Sequence, residues 1–204
     1  MIGTSESELL QLVTSLNIHC NFLGTFDKHF PGFVSSKPVT AIVNTGSRAS
    51  GGVHWIAFAW NPFCNTVYMF DPFGWSDKKL LEFYNFEYKR LLAYSALNSS
   101  TRCCYLKKSI QAVQCPCSAA CGLFCVWFLY SFFHYPHNPF ENNPIIDVLK
   151  GVNHSLLGSE TGRRVCHKNQ YMLYINLSKK SSYFRKYREY FTSATTTGLL
   201  PCKL

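Results

Sequence analysis

The sequence predicts an α+β fold, in which a small mixed β-sheet packs against helices and one buried helix lies at the centre. Apolar residues recur at helical spacing in several segments, two β-rich aromatic runs flank the turn signal Asn61-Pro62, and residues 119–133 are almost all apolar. Helices mixed with a few local strands are typical of this class. With 204 residues, of which 47% are hydrophobic, the chain can bury one substantial core, so we predict a single domain over residues 1–204.

The first half of the chain begins with a predicted helix and continues with predicted strands. Ser5 and Glu8 match a capping box, and the apolar residues that follow recur at helical spacing, so we predict a helix from about Glu6 to Leu16. The next predicted elements are turns and short extended pieces over residues 21–38, a strand over residues 39–45, a β-hairpin over residues 51–74 and helical structure over residues 76–97 after the N-cap Ser76.

The second half contains the most apolar segment. Residues 119–133 are predicted to form the central buried helix, with Ser118 as its N-cap. This run is shorter than the roughly 20 apolar residues that a membrane-spanning helix needs, so we expect no membrane partner. The other predicted elements are a short strand and loop within residues 103–114, a short helix at residues 145–150 and a pair of helices between Gln170 and Phe191.

Cys121 lies at the predicted start of the central helix. A thiol in the first helical turn faces free backbone N–H groups and the positive end of the helix dipole, and both stabilise a thiolate. Gly122 is predicted to leave room for a substrate carbonyl beside the backbone. Cys121 is therefore a candidate nucleophile, and the alternative is a buried core cysteine, which is common.

His54 and Asp71 lie at the two ends of the predicted hairpin. If residues 61–64 form its loop, Trp60 pairs with Asn65, and the same register places His54 directly opposite Asp71. A carboxylate in that place would hold the imidazole in one tautomer and stabilise its cation. A one-residue change in loop length would separate the two side chains, and a chance placement is the alternative.

Gln114 is a fourth candidate. It precedes Cys121 in a loop that also contains cysteine and proline. Its side-chain amide could donate a hydrogen bond to an oxyanion beside the nucleophile. Without such a nucleophile it would be an ordinary loop glutamine.

Most of the net charge of +9 lies in the C-terminal region, which we define as residues 161–204. This region contains nine Lys and Arg residues and one acidic residue, a net charge of +8. Such a face attracts polyanions, nucleic acid first among them, although a solvated face that only maintains solubility is the alternative. The aromatic side chains in the segment 183–191 recur at helical spacing and are predicted to pack inward. This packing would leave Arg185, Lys186 and Arg188 available to phosphates.

The four candidate residues and their surroundings resemble the adenovirus protease family. The order His54, Asp71, Gln114, Cys121 is accompanied by the segments GGVHW, DPFG, QCPCSAACGLF and FLGTFDKHFPGF. The similarity also includes AFAWNP, FEYKRLL and NNPIIDVLKGV, and so covers nearly the whole chain. The order is similar, too, to that of the deconjugases of small ubiquitin-like proteins, whereas papain-like chains have the cysteine before the histidine.

The resemblance implies a viral cysteine endopeptidase that cleaves capsid and core precursor proteins during virion maturation. It implies that Cys121 is the nucleophile at the start of the buried helix and that His54 is the general base and then the acid. Asp71 would orient His54, and relatives often have Glu at this position. Gln114 and the backbone N–H of Cys121 would form the oxyanion hole. We expect a monomer that acts in the virion and the host cell nucleus.

The resemblance also implies two activators and no metal or small-molecule cofactor. One activator is a short peptide from the C-terminus of a capsid-precursor protein, which adds a strand to a sheet edge. It forms a disulfide with the cysteine that aligns with Cys103, and the neighbouring Cys104 is the alternative. The other activator is viral DNA, bound without sequence preference.

The loop before Cys121 departs from the family pattern QGPNSAACG, because Cys115 and Cys117 replace Gly and Asn. These two residues could be redox-sensitive thiols, and most of the ten cysteines are expected to be reduced. A structural zinc site is disfavoured, since the cysteines of residues 103–125 contain no CxxC pair. A basic virion protein that packages DNA without catalysis is a further alternative.

Overall fold

The computed structural model describes residues 3–97, 99 and 102–195. In these ranges the chain forms a five-stranded sheet in the order β1-β2-β3-β4-β5. The inner pairs β2–β3 and β3–β4 are antiparallel, and the outer pairs β1–β2 and β4–β5 are parallel. The strands are β1 (Phe22–Phe26), β2 (Val39–Asn44), β3 (Trp55–Asn61), β4 (Thr66–Phe70) and β5 (Tyr105–Lys108). This mixed sheet, together with the helices around it, confirms the predicted α+β class.

Within the same ranges there are seven α-helices. The first begins as predicted, because Ser5 Oγ accepts a hydrogen bond from Glu8 N–H and the Glu8 carboxylate accepts one from Ser5 N–H. No helix in the described part of the chain is long and apolar enough to cross a membrane. The helices are α1 (Glu6–Ser15), α2 (Asp77–Tyr84), α3 (Lys89–Ala96), α4 (Cys121–His134), α5 (Glu160–Lys180), α6 (Ser182–Lys186) and α7 (Arg188–Thr195).

Strand β3 is buried on both faces, so the sheet lies between two hydrophobic cores. Successive side chains of a strand point to opposite faces. Ala57 and Ala59 belong to the first core, which contains α1, α4 and the C-terminal helices. Phe58 and Trp60 belong to the second core, which contains α2 and α3. Because α4 packs on the first face, its N-terminus lies near the start of β3.

Residues 76–97 form two helices, although their periodicity predicts continuous helical structure. Asn85 ends α2 in the left-handed conformation, with φ of 47°. The next aromatic residues, Phe86 and Tyr88, are buried in the second core. Burial of these two side chains requires the chain to turn between α2 and α3, which helical periodicity does not reveal.

Residues 145–150 form turns, and the predicted short helix is wrong. The buried side chain of Asn143 accepts hydrogen bonds from the backbone N–H groups of Ile145 and Ile146 at 3.1 and 3.0 Å. Such local bonds compete with helical hydrogen bonds. The apolar spacing that suggested a helix arises because Ile146 and Leu149 both pack into the first core.

The C-terminal region contains a longer helix than predicted. α5 begins at Glu160, well before the predicted start at Gln170, and its last residue is Lys180. Phe184 and Phe191 pack into the first core as predicted. Residues 196–204 lie outside the described residues.

Two tyrosines of this region do not pack inward as predicted. Tyr187 and Tyr190 are 40% and 47% exposed. Tyr187 separates α6 from α7 and has non-helical dihedral angles, φ −110° and ψ 27°. The helical spacing on which the prediction rested is therefore interrupted at this residue.

Candidate active site

His54 and Asp71 lie at the same end of the hairpin, in a register that differs from the predicted one. Trp60 pairs with Val67, two residues beyond the predicted partner. This register places His54 opposite Phe73, and their rings stack with centroids 4.7 Å apart. Since a shift of two residues preserves the face of a strand, His54 and Asp71 remain diagonal neighbours. The predicted direct opposition is wrong, but the two side chains are in contact.

The hairpin loop explains the difference in register. Asn61 stays in β3 and pairs with Thr66. Asn65 closes the loop with φ of 48°, a left-handed conformation that Asn adopts more readily than most residues. The turn signal Asn61-Pro62 thus marks the start of the loop and does not reveal where the loop ends.

The turn after β4 holds the carboxylate of Asp71 in place. Its Oδ1 lies 2.7 Å from His54 Nε2 and accepts a hydrogen bond from Phe73 N–H at 2.9 Å. Its Oδ2 accepts one from Trp75 N–H at 2.9 Å. Gly74, at φ of 60°, permits the turn and donates its N–H to Asp71 O at 2.8 Å. Because His54 and Asp71 are both almost fully buried, the imidazole faces a fixed and desolvated acceptor.

Ser109 holds the backbone of Asp71 from the other side. Its Oγ donates to Asp71 O and accepts from Asp71 N–H, both at 2.9 Å. Ser109 directly follows β5, so the turn that carries Asp71 is bonded to the last strand of the sheet. The sequence analysis missed this residue, since a lone serine after a strand carries no distinguishing pattern.

Cys121 is the first residue of α4 and lines the same cleft as His54. The predicted N-cap, Ser118, does not cap the helix: Ala120 occupies that position and makes no side-chain capping bond to a described residue. Ser118 Oγ donates to Gln170 Oε1 at 2.6 Å and lies 3.2 Å from Thr195 O. Ser118 therefore ties the loop before Cys121 to α5 and α7, and leaves the first-turn N–H groups to other acceptors.

Gly122 packs against the N-terminal segment, and its predicted role beside a substrate carbonyl is wrong. A Cβ atom at this position would lie 3.0 Å from both Leu9 Cδ2 and Thr4 Cβ. The glycine therefore allows α1 to approach α4 closely. The space next to it is taken by the protein itself.

The imidazole of His54 and the thiol of Cys121 shift each other's pKa. Burial lowers the pKa of His54, but the Asp71 carboxylate and the Cys121 sulfur outweigh burial and raise this pKa to about 9. Burial raises the pKa of Cys121, but His54 and the backbone of Trp55 and Gly122 outweigh it, so this pKa lies below its usual 9.0. Opposite shifts of this kind stabilise a thiolate beside an imidazolium.

The two ring nitrogens of His54 have different surroundings. Because Nε2 is bonded to Asp71, Nδ1 is the nitrogen left to exchange a proton with Cys121. Nδ1 makes no hydrogen bond of normal length with a described residue. In enzymes, hydrogen bonds between catalytic groups are often long in the free protein and shorten in the complex with substrate.

Two aromatic rings that the sequence analysis did not single out stack on His54. Phe73 lies 4.7 Å away and Tyr84 lies 5.3 Å away between ring centroids. Aromatic faces attract a cation and so favour the imidazolium. The correct hairpin register would have identified Phe73. No pattern in the sequence marks Tyr84, because its contact depends on how α2 packs over the hairpin.

Gln114 is fully buried and lines the cleft together with His54 and Cys121. Its Nε2 donates to Ser118 O at 2.7 Å, and its backbone N–H donates to Pro72 O at 3.1 Å. A side-chain amide has two N–H groups, so the bond to Ser118 leaves the second one for a ligand. The cleft has a volume of about 780 Å³, which accommodates an extended peptide segment.

The two cysteines predicted to bind a peptide lie at the edge of the sheet, just before β5. Cys103 is exposed. Cys104 is half-buried, and its Sγ donates to Leu92 O at 3.3 Å. Burial, and then the neighbouring Cys103, raise the pKa of Cys104.

The three residues predicted to contact DNA lie in α6 and at the start of α7. Arg185, Lys186 and Arg188 are all exposed. They lie in elements other than the hairpin and α4, and do not line the cleft that contains Cys121.

Seven cysteines of the described residues are free thiols, and Cys115 and Cys117 form a disulfide. His167 lies beside this pair, with Nε2 3.4 Å from Cys117 Sγ. The three side chains have the chemistry of metal ligands, and their ligand atoms lie within 4.8 Å of one another. This juxtaposition joins the loop before Cys121 to α5, and the sequence pattern did not predict it.

Comparisons with known proteins extend this description. A family model described as adenovirus endoprotease matches residues 22–199, which include His54, Asp71, Gln114 and Cys121. The chain is 48% identical over 202 residues to the protease of fowl adenovirus A serotype 1, with 98% of each chain covered. It is 53% identical over 186 residues to the protease of frog adenovirus 1, with 91% of each covered. It is 50% identical over 194 residues to the protease of human adenovirus B serotype 3, which covers 95% of this chain and 93% of that one. The chain therefore belongs to the adenovirus endoprotease family.

Proposed function

We propose that this chain is a cysteine endopeptidase in which Cys121, His54 and Asp71 form a catalytic triad. One observation carries the proposal: His54 Nε2 lies 2.7 Å from Asp71 Oδ1 in the cleft where α4 begins with Cys121. The opposite pKa shifts of His54 and Cys121 support a thiolate nucleophile. Membership of an endoprotease family supports a peptide bond as the substrate.

The reaction follows from the positions of these groups. The Cys121 thiolate attacks the scissile carbonyl, and the charge that develops on its oxygen is stabilised by the Cys121 N–H and the Gln114 amide. The His54 imidazolium then protonates the leaving amine, which yields a thioester on Cys121. His54, now neutral, removes a proton from water, and the resulting attack releases the acid and restores the thiolate. Asp71 stabilises the imidazolium throughout.

A peptide-cleavage assay tests the class of enzyme and the nucleophile together. The wild type should cleave a peptide from a capsid-precursor protein, whereas Cys121→Ser and His54→Ala should lose nearly all of this activity. Cys20→Ser is the matched control, because Cys20 is an exposed free thiol outside the cleft. Normal turnover by Cys121→Ser would refute the triad. Cleavage restricted to conjugates of a small ubiquitin-like protein would favour a deconjugase.

We also propose that a short viral peptide activates the enzyme through Cys103. β5 is the last strand of the sheet, so a peptide can pair with its outer side by strand addition. Cys103 is exposed beside this edge, while Cys104 is half-buried and has a raised pKa that disfavours the reactive thiolate. The bond of Ser109 to Asp71 supplies a physical route from β5 to the triad.

Mass spectrometry can decide between the two thiols. After mild oxidation with a peptide that contains one cysteine, the adduct should form on the wild type and on Cys104→Ala, and should be lost from Cys103→Ala. Loss only from Cys104→Ala would assign the role to that residue instead. Persistence of the adduct in both variants would contradict a single attachment site.

The C-terminal region is the proposed contact for DNA. Its basic side chains are distributed along three helices, and their exposure suits contact with phosphates rather than with base edges. We also propose that the protein acts as a monomer in the virion and the host cell nucleus, as the resemblance to the adenovirus protease family implies. The exposed basic residues of the described part are Arg163, Arg164, Lys168, Lys179, Lys180, Arg185, Lys186 and Arg188.

A further inference from the structure

The loop between Gln114 and α4 contains a disulfide that joins Cys115 to Cys117 across a single proline. Their Cα atoms are 5.1 Å apart. Cys115 is almost fully buried in a small hydrophobic cluster that includes Leu157, whereas Cys117 is half-buried. Both residues border a cavity of about 310 Å³. Cys117 is therefore the member of the pair that a small reactant can approach more easily, because the cluster covers Cys115.

His167 places a base beside the accessible sulfur. Its Nε2 lies 3.4 Å from Cys117 Sγ, and the side chain is almost fully buried. Burial, and then the charge of Arg163, lower the pKa of His167, which keeps the imidazole neutral and able to accept a thiol proton. Lys79 and Arg163 line the same cavity, and cationic groups favour a thiolate over a thiol.

We propose that Cys115 and Cys117 form a second reactive site, a dithiol–disulfide pair that exchanges electrons with small thiols and disulfides of the glutathione class. In reduction, a small thiolate attacks Cys117 Sγ, the protein disulfide breaks, and Cys115 leaves as a thiolate. A second small thiolate attacks the sulfur of the small molecule in this mixed disulfide and releases Cys117. Two small thiols thus become one small disulfide, and their protons pass to the two protein thiolates, with His167 as the carrier for Cys117. Oxidation reverses these steps.

The pair lies between two parts of the proposed active site. Gln114 precedes Cys115, and its Nε2 reaches across the loop to Ser118 O at 2.7 Å. Three residues after Ser118, Cys121 begins α4. Opening the disulfide removes a covalent constraint from the segment that positions the Gln114 amide. This consequence rests on the proposed function, whereas the exchange chemistry does not.

Mass spectrometry tests the exchange directly. The full chain is equilibrated with reduced and oxidised glutathione in varied ratios, quenched with acid and alkylated, and tandem spectra assign the labels on Cys115 and Cys117. Both labels should appear together as the ratio becomes more reducing. In Cys117→Ser the two labels should no longer appear together. In His167→Gln the exchange between the protein disulfide and glutathione should be about tenfold slower, which is the effect of a one-unit change in the thiol pKa.

Three outcomes of this experiment would overturn the exchange site. The first is full labelling of both residues even with oxidised glutathione alone. The second is no labelling with reduced glutathione alone while the protein stays folded. The third is binding of one zinc ion per reduced chain in native mass spectra, lost in Cys117→Ser, which would identify a metal site in its place.

Peptide cleavage across the same series tests the consequence for catalysis. Wild-type activity should fall by about tenfold as the pair opens, a part of the 100-fold or greater cost of losing an oxyanion donor. The double variant Cys115→Ala/Cys117→Ala should keep the low activity at every ratio, and the control Cys20→Ala/Cys64→Ala should follow the wild type. Constant wild-type activity through the transition would overturn the link to Gln114. If the Cys115–Cys117 disulfide opens as the ratio changes but the wild type cleaves no peptide at any ratio, the proposed function is refuted and the exchange site is not.

Discussion

At the scale of single residues, the carboxylate of Asp71 accepts hydrogen bonds from His54 and from the backbone N–H groups of Phe73 and Trp75. Asp71→Asn replaces one acceptor oxygen with an NH2 group, which must face a donor, either His54 or the N–H of Trp75. We expect kcat/KM for a peptide to fall by roughly 100-fold or more, because the imidazole loses its orientation and its counter-charge. The activity should remain above that of Cys121→Ala. Asp147→Asn, at an exposed carboxylate, is the control, and full activity of Asp71→Asn would contradict the assigned role.

The pH dependence of cleavage follows from the same contacts. In the proposed mechanism the active form contains a Cys121 thiolate and a protonated His54, so the rate should rise as Cys121 ionises below its usual pKa of 9.0 and fall as His54 loses its proton near pH 9. Both ionisations belong to the coupled pair of Cys121 and His54 rather than to either residue alone. Because the Asp71 carboxylate raises the pKa of His54, Asp71→Asn should move the alkaline limb of kcat/KM to lower pH. An alkaline limb that does not move would contradict the electrostatic coupling.

At the scale of elements, the turn after β4 determines where the carboxylate points. A Cβ atom on Gly74 would lie 2.5 Å from the carbonyl oxygen of Gln111, and the residue has φ of 60°. Gly74→Ala should therefore lower the free energy of unfolding by about 1–3 kcal/mol, as expected for a strained left-handed residue. Cleavage should fall too, since the Trp75 N–H that holds Asp71 belongs to this turn. Denaturant unfolding and the peptide assay measure the two effects.

The control for this variant is Gly158→Ala. A Cβ atom at Gly158 meets no atom within 4 Å, so neither stability nor cleavage should change. Equal behaviour of the two alanine variants would show that the turn does not depend on the conformational freedom of Gly74.

At the scale of the whole molecule, the +8 charge of the C-terminal region predicts salt-dependent DNA binding. The logarithm of the binding constant should fall steeply with the logarithm of the salt concentration and vary little with base sequence. Neutralising Arg185, Lys186 and Arg188 together should weaken binding and reduce the salt slope by about 3, roughly one unit for each lost phosphate contact. Fluorescence anisotropy with duplexes of different sequence measures both quantities.

A matched triple variant shows whether DNA binding depends on the position of the basic residues or only on the total charge of the chain. Lys37, Lys78 and Arg90 are exposed and lie outside the C-terminal region, so their joint replacement by Gln removes the same charge elsewhere. This variant should retain the salt slope of the wild type. If the two triple variants lose affinity equally, binding depends on net charge and not on the C-terminal region.

The sequence by itself determined the elements whose signals are local. The capping box of α1, the strands β2 and β5 and the apolar run of α4 depend on neighbouring residues, and the structure has all of them. The position of Cys121 at the start of a helix follows from that run, so this part of the candidate site was predictable. The exposure of Arg185, Lys186 and Arg188 was predictable too, because charged side chains remain in water.

Only the tertiary structure decided how these elements meet. The register of the hairpin depends on the conformation of Asn65, and a two-residue change kept His54 beside Asp71 only because it preserved the face of the strand. Tyr84 and His167 lie far in sequence from the groups they contact, and no local pattern marks them. Their contacts arise from the packing of whole helices on the sheet, which depends on the joint fit of many side chains and therefore exists only in the folded chain.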